Sequence, residues 1–131
     1  MSIDWSQLIT AEDKTAQARQ ALVADIAARR WQAETAGITV NGIAIDTGRD
    51  SQALITGAAV SAMLDSAYAL RWKTPAGFVD LEGQQIIAMA TTVRAHVQAA
   101  FDREADLLQA LADGTFLDKM LEEGWPGAGR G

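Results

Sequence analysis

The sequence predicts an α+β fold in which three main helices pack on a small antiparallel sheet made of two β-hairpins. Three observations lead there. Asn41-Gly42 sits between the β-rich runs Ile38-Thr39-Val40 and Ile43-Ala44-Ile45. A second pair of short runs, Ala69–Lys73 and Phe78–Leu81, flanks Thr74-Pro75-Ala76-Gly77. Three stretches keep apolar residues at helical spacing, the best defined from about Glu82 to Ala112.

The first helix begins at Thr10, where a capping hydroxyl is followed three residues on by Asp13. Its pattern continues to about Thr35, and Gly37 is a natural stop. Ala18, Leu22 and Ile26 form one stripe, with Val23, Ala27 and Trp31 beside it; Arg19, Gln20, Arg29, Arg30 and Glu34 make the exposed face. The stripe is mostly Ala, so this helix packs either on its own domain through Leu22, Ile26 and Trp31 or against a partner.

Asn-Gly is the pair a type I′ turn demands, since both central residues take positive φ. The next helix starts after Thr47-Gly48-Arg49, capped by Asp50 or Ser51, and runs to about Ser66. Its apolar face reads Leu54, Ile55, Ala58, Ala59, Ala62 and Met63. Gly57 in mid-helix costs about 1 kcal/mol against Ala and points to close approach of another element. The inner face of the sheet is expected to hold Val40, Ile45, Trp72 and Val79 or their alternates along each strand. The long helix adds Val93, Val97 and Phe101, and Gly114 ends it. Residues 115–123 form one more short helix, and 124–131 a flexible, glycine-rich tail. The chain thus divides into an arm and helix (1–36), a globular α+β domain (37–123) and the tail (124–131).

Composition excludes several function classes. The 131 residues suit one domain. There is no cysteine, which removes disulfides, thiolate zinc sites and Cys nucleophiles together. The net charge of −6 argues against nucleic-acid or anionic-membrane partners. No stretch approaches the length of a membrane span, and Met1-Ser2-Ile3-Asp4-Trp5 lacks a basic region followed by an apolar run, so no signal peptide is expected.

No catalytic, cofactor-binding or metal-binding residues emerge, and the expectation is a protein that is not an enzyme. His96 is the single histidine and falls at the edge of the long helix's apolar face, a boundary position. Ser51, Ser61 and Ser66 lack a nucleophile elbow. Asp46-Thr47-Gly48-Arg49-Asp50 reads as turn and cap rather than cation loop. Arg71-Trp72-Lys73 is explained by strand alternation, with Trp72 inward. The tryptophans are more informative as a set. Trp5 and Trp125 lie near the ends, where little else can be buried. Trp5, Leu8, Trp31, Trp125 and Pro126 are therefore the candidate partner-binding residues, because aromatic side chains dominate interface hot spots; folding of the two terminal tryptophans back onto the domain is the alternative.

In Ile3-Asp4-Trp5 with Leu8-Ile9-Thr10-Ala11-Glu12, Gly37-Ile38-Thr39-Val40-Asn41-Gly42, Ile45–Ala53, Arg71-Trp72-Lys73-Thr74, Gly77-Phe78-Val79, Arg94–Ala99 and Glu123-Gly124-Trp125-Pro126, in that order, the chain resembles a family of tailed-phage and prophage tail proteins. That family is a domain of unknown function found among tail-fibre genes. The resemblance implies a phage tail accessory protein acting by protein–protein binding, either a tail-tip, baseplate or tail-fibre component or a tail-fibre assembly factor. It transfers no site residues. Implied partners are phage tail or tail-fibre proteins, with a homo-oligomer also open, and the implied location is the virion tail or the host cytoplasm during assembly. The alternative is a small intracellular phage protein that binds and modulates a host protein through its acidic surface.

Overall fold

The computed structural model describes residues 10–127. Helix α1 (Ala11–Glu34) leads to a hairpin of β1 (Ile38–Val40) and β2 (Ile43–Ile45), then α2 (Arg49–Leu64). A second hairpin follows, β3 (Ala69–Thr74) and β4 (Gly77–Glu82), then α3 (Gly83–Asp113) and a short 3-10 helix, Asp118–Glu122. The α+β fold of three helices and two antiparallel hairpins is as expected. The hairpins remain two separate two-stranded sheets, β1-β2 and β3-β4.

Local chemistry sets the boundaries. Thr10 Oγ1 accepts from Asp13 N at 3.1 Å and Asp13 Oδ2 accepts from Thr10 N at 3.3 Å, a reciprocal cap on α1. Asn41 (φ 51°) and Gly42 (φ 81°) form the tight turn, with Val40 paired to Ile43. In the second hairpin Trp72 pairs with Val79 and Lys73 with Phe78. At α2 the expected caps do not operate. The helix starts at Arg49, two residues before Ser51, with Gly48 as N-cap and no side-chain cap among the described residues. Asp46 Oδ1 instead accepts from Gly48 N at 2.7 Å, folding the turn ahead of the helix.

The interior falls into two apolar clusters joined by α3. The first holds Ile55, Ala58 and Ala62 of α2, Ile45 and Leu81 of the hairpins, and Ile86, Met89, Val93 and Val97 of α3. Val40, Trp72 and Val79 pack against it, half-buried. The second holds Ile26 and Ala33 of α1, Ala100 and Leu107 of α3, and Trp125. The first three turns of α1 lie outside both: Ala11 to Ala21 are all exposed.

Four expectations are corrected. Leu54 and Met63 are 65% and 75% exposed, because they flank the buried arc of α2 that Ile55, Ala58 and Ala62 define. Phe101 is 36% exposed and covered by a guanidinium rather than by the core. Glu34 faces in, the reverse of its predicted place on the exposed face, while Trp31, which the sequence leaves open between core and partner, is exposed. Trp125 is 3% exposed, so the chain through Gly127 does not leave the domain as a free tail. Arg103 holds this segment by donating from Nε to the Glu123 carbonyl at 2.7 Å and from Nη2 to the Met120 carbonyl at 3.1 Å.

Candidate partner-binding surface

Where the end of α1, the start of α2 and the middle of α3 meet, one carboxylate organises the neighbourhood. The Glu34 side chain is fully buried. An ionised carboxylate there is tolerable only if its lone pairs are filled. Arg30, one turn earlier, donates from Nη1 to Oε1 at 2.6 Å. Arg49 closes a two-point contact, Nη2 to Oε1 at 3.1 Å and Nε to Oε2. Gln52, one turn into α2, donates to Oε2 at 2.9 Å and shares its amide with the Thr47 carbonyl at 2.8 Å. Buried Thr47 completes the seam: its hydroxyl donates to the Glu34 carbonyl at 2.7 Å and accepts from Gly37 N at 2.9 Å. Burial pushes the Glu34 carboxyl up, but the hydrogen bonds from Arg49, Gln52 and Arg30 outweigh it and hold the group below its ordinary range. Arg49 is raised in turn by its hydrogen bond to Glu34, against a smaller desolvation effect.

This pairing fixes two guanidinium planes against two rings. Arg30 lies 4.6 Å from the Phe101 centroid and 6.0 Å from that of Trp31. Arg49 lies 5.2 Å from Trp31 and 5.9 Å from Phe101. Arg30 is also paired through Nε with Glu104 at 3.1 Å, so two cations are matched by two carboxylates and the patch is close to neutral. Its outer surface stays open: Trp31 is 48% exposed and the Arg49 side chain 52%. Arginine stacked on aromatic faces presents a flat, amphipathic surface whose rotamers are already fixed, which suits association with another chain.

Of the candidate residues drawn from the sequence, Trp31 lies in this patch. Trp125 is buried against Ile26 and Leu107, its Nε1 donating to the Leu121 carbonyl at 2.7 Å, and is a core residue. Pro126, half-buried, lines a separate cleft of about 410 Å³ with Arg29, Gln32, His96 and Glu122. Trp5 and Leu8 lie outside the described residues. His96 is a boundary residue as expected: the Ala33 carbonyl at 2.8 Å can only accept, so Nε2 donates to it and ties α3 to α1. Among the described residues no three histidine, aspartate or glutamate side chains gather as a metal site would require, and no helix is long and apolar enough to cross a membrane.

The sequence pattern puts Glu34 on the exposed face, Phe101 in the core and Arg49 in the turn before α2, and gives none of them, nor Gln52, a place in a binding site. The available signal was an acid at the end of an amphipathic helix, one turn after Arg30, on the edge rather than the centre of the polar face.

Residues 17–123 match the domain of unknown function DUF4376. The chain belongs to this family. The matched span includes the whole Trp31–Arg49–Phe101 patch and stops two residues short of Trp125. Neither a curated protein nor a solved structure matches the sequence.

Proposed function

We propose that this DUF4376 protein is a phage tail accessory protein that acts by binding another tail or tail-fibre chain, as a tail-tip, baseplate or fibre component or as a fibre-assembly factor. The observation that carries the binding half of this reading is the half-exposed Trp31 with the Arg49 guanidinium beside it, the guanidinium held by the buried Glu34 carboxylate. The phage half is supported by the resemblance described above. Tryptophan and arginine are the residue types that most often carry interface energy. Here they need little further ordering, so a partner closing over Trp31 and Phe101 gains apolar burial at low entropic cost. The action in this reading is non-catalytic, in the virion tail or in the host cytoplasm during assembly.

The test is to mix the purified protein with the neighbouring tail-fibre or tail-tip protein and measure mass by light scattering and affinity by titration. The Trp31→Ala, Phe101→Ala double variant is expected to raise the dissociation constant by about thirtyfold, the equivalent of one hot spot of 2 kcal/mol. Trp31→Ala alone, at a ring 48% exposed, should weaken binding with little change in thermal unfolding, whereas the double variant also loses the more covered Phe101 ring and should unfold somewhat lower. A complex of unchanged affinity, or no complex with the wild-type chain, would overturn the proposal.

A further inference from the structure

The tip of the first hairpin joins features that matter chemically as well as structurally. Asn41 is the sole asparagine of the chain, and Gly42 follows it. Both are exposed, with φ of 51° and 81°. Pairing of Val40 with Ile43 engages the backbone on either side of the tip and leaves the Gly42 amide, at the centre of the turn, outside the ladder. Among the described residues that amide donates to no backbone carbonyl, and nothing lies within 4 Å of a Cβ built on Gly42. Any other residue would shield its own nitrogen with a side chain; glycine does not. The strands hold the tip lightly. β1 and β2 have three residues each and no third strand pairs with them. A two-stranded hairpin is marginal by itself, and Thr39 and Ala44, next behind the tip, are exposed, so the turn is the part of the hairpin that frays first.

We propose that Asn41 is a site of spontaneous covalent modification, in which its side-chain amide closes onto the Gly42 nitrogen and is lost as ammonia. Hydroxide takes the Gly42 amide proton and the nitrogen attacks Cγ of Asn41. The N–Cγ bond forms, the Cγ–Nδ2 bond breaks, and Nδ2 leaves as ammonia with a proton from water. Water then opens the five-membered succinimide. Breaking the new N–Cγ bond gives aspartate; breaking the original peptide bond between Asn41 and Gly42 gives isoaspartate, whose main chain runs through the former side chain. No oxidant or reductant takes part, and either product adds one negative charge to the net −6. The two products act differently on the fold. Asp-Gly suits a type I′ turn as Asn-Gly does, so aspartate keeps the Val40–Ile43 pair. Isoaspartate lengthens the main chain by one methylene inside a two-residue loop, which the turn cannot absorb with that pair intact. Val40 and Ile43 pack against the first apolar cluster, so this edge of the core loosens with the turn. The inference uses no residue of the Trp31 patch and is independent of the partner proposed above.

Mass spectrometry of the purified full chain tests this directly. Held for days at mildly alkaline pH, it should become about 1 Da heavier, passing through a species about 17 Da lighter than the start. Tryptic digestion should place the change in the peptide from Trp31 to Arg49. Enzymatic isoaspartyl methylation of that peptide reports the second product; Asp113-Gly114, which forms isoaspartate without a change of mass, falls in a different peptide. The rate should rise about tenfold per pH unit, because the attacking nitrogen is freed by hydroxide. Asn41→Gln, which would need a six-membered ring, should keep its mass. Gly42→Ala should gain mass several-fold more slowly than wild type, although its turn is less stable. The isoaspartate form should melt below the Asn41→Asp chain. A wild-type mass that stays constant, an equal gain in the Asn41→Gln chain, a Gly42→Ala chain that changes as fast as wild type, a product free of isoaspartate, or an isoaspartate form that melts with Asn41→Asp would each overturn the proposal.

Discussion

Replacing Trp125 by alanine should remove a large part of the stability of this fold, although only six residues follow it in the sequence. The ring is 3% exposed and packs with Ile26, Ala33, Ala100 and Leu107. Its Nε1 donates to the Leu121 carbonyl at 2.7 Å, and the Arg29 guanidinium lies 5.4 Å from its centroid. Truncating a buried aromatic to alanine costs about 3–5 kcal/mol, of which the lost hydrogen bond accounts for about 1. Domains of this size are stable by about 5–15 kcal/mol, so the loss is a third or more of the total in most of that range. In urea, with a slope near 2 kcal/mol/M, the midpoint should fall by about 2 M at unchanged slope. Trp125→Phe keeps most of the apolar contact and loses the donor, and should fall between the two. A Trp125→Ala midpoint within about 0.5 M of wild type would refute the assignment of Trp125 to the core and return it to the surface.

Two further outcomes follow from local chemistry. Glu34 ionises below its ordinary value of 4.5, so just under that pH the unfolded chain binds more protons than the folded one. The stability the carboxylate contributes is present above pH 4.5 and drains away as pH falls through the lower folded value; urea midpoints should drop accordingly, and Glu34→Gln should flatten that limb. Gly42→Ala forces a side chain into φ 81° and should cost about 1 kcal/mol, read as a Tm about 3 °C lower by calorimetry.

The sequence-readable parts of the fold are those fixed by neighbours in the chain. Thr10 with Asp13 marks the start of α1, Asn41-Gly42 forces the first hairpin, and the spacing of Ile86, Val93 and Val97 sets the buried side of α3. The misread positions all depend on partners far along the chain. Glu34 is buried because Arg49 and Gln52, 15 and 18 residues later, fold back on it. No property of Glu34 alone distinguishes it from the exposed acid of any helix end. Spacing alone leaves Trp31 open between core and surface, and it lies outside because the α1–α3 contact is already filled by Ile26 and Ala33. Phe101 is one step beyond Ala100, the residue that occupies the seam. Trp125 was legible as an aromatic needing burial, but which surface it covers depends on Leu107 and Ile26. The candidate patch is thus a product of tertiary structure: of its residues Trp31 was identified from sequence, and the two guanidiniums that fix its setting were not.

Helix α3 belongs to both apolar clusters, with Ile86 to Val97 in one and Ala100 and Leu107 in the other. Its 31 residues are therefore a shared beam rather than a connector. Loss of either cluster strips one half of this helix of its packing, and just before the junction, at His96, a hydrogen bond fastens it to α1. The two half-sized cores therefore share one structural member, and a change that bends or shortens it is felt in both.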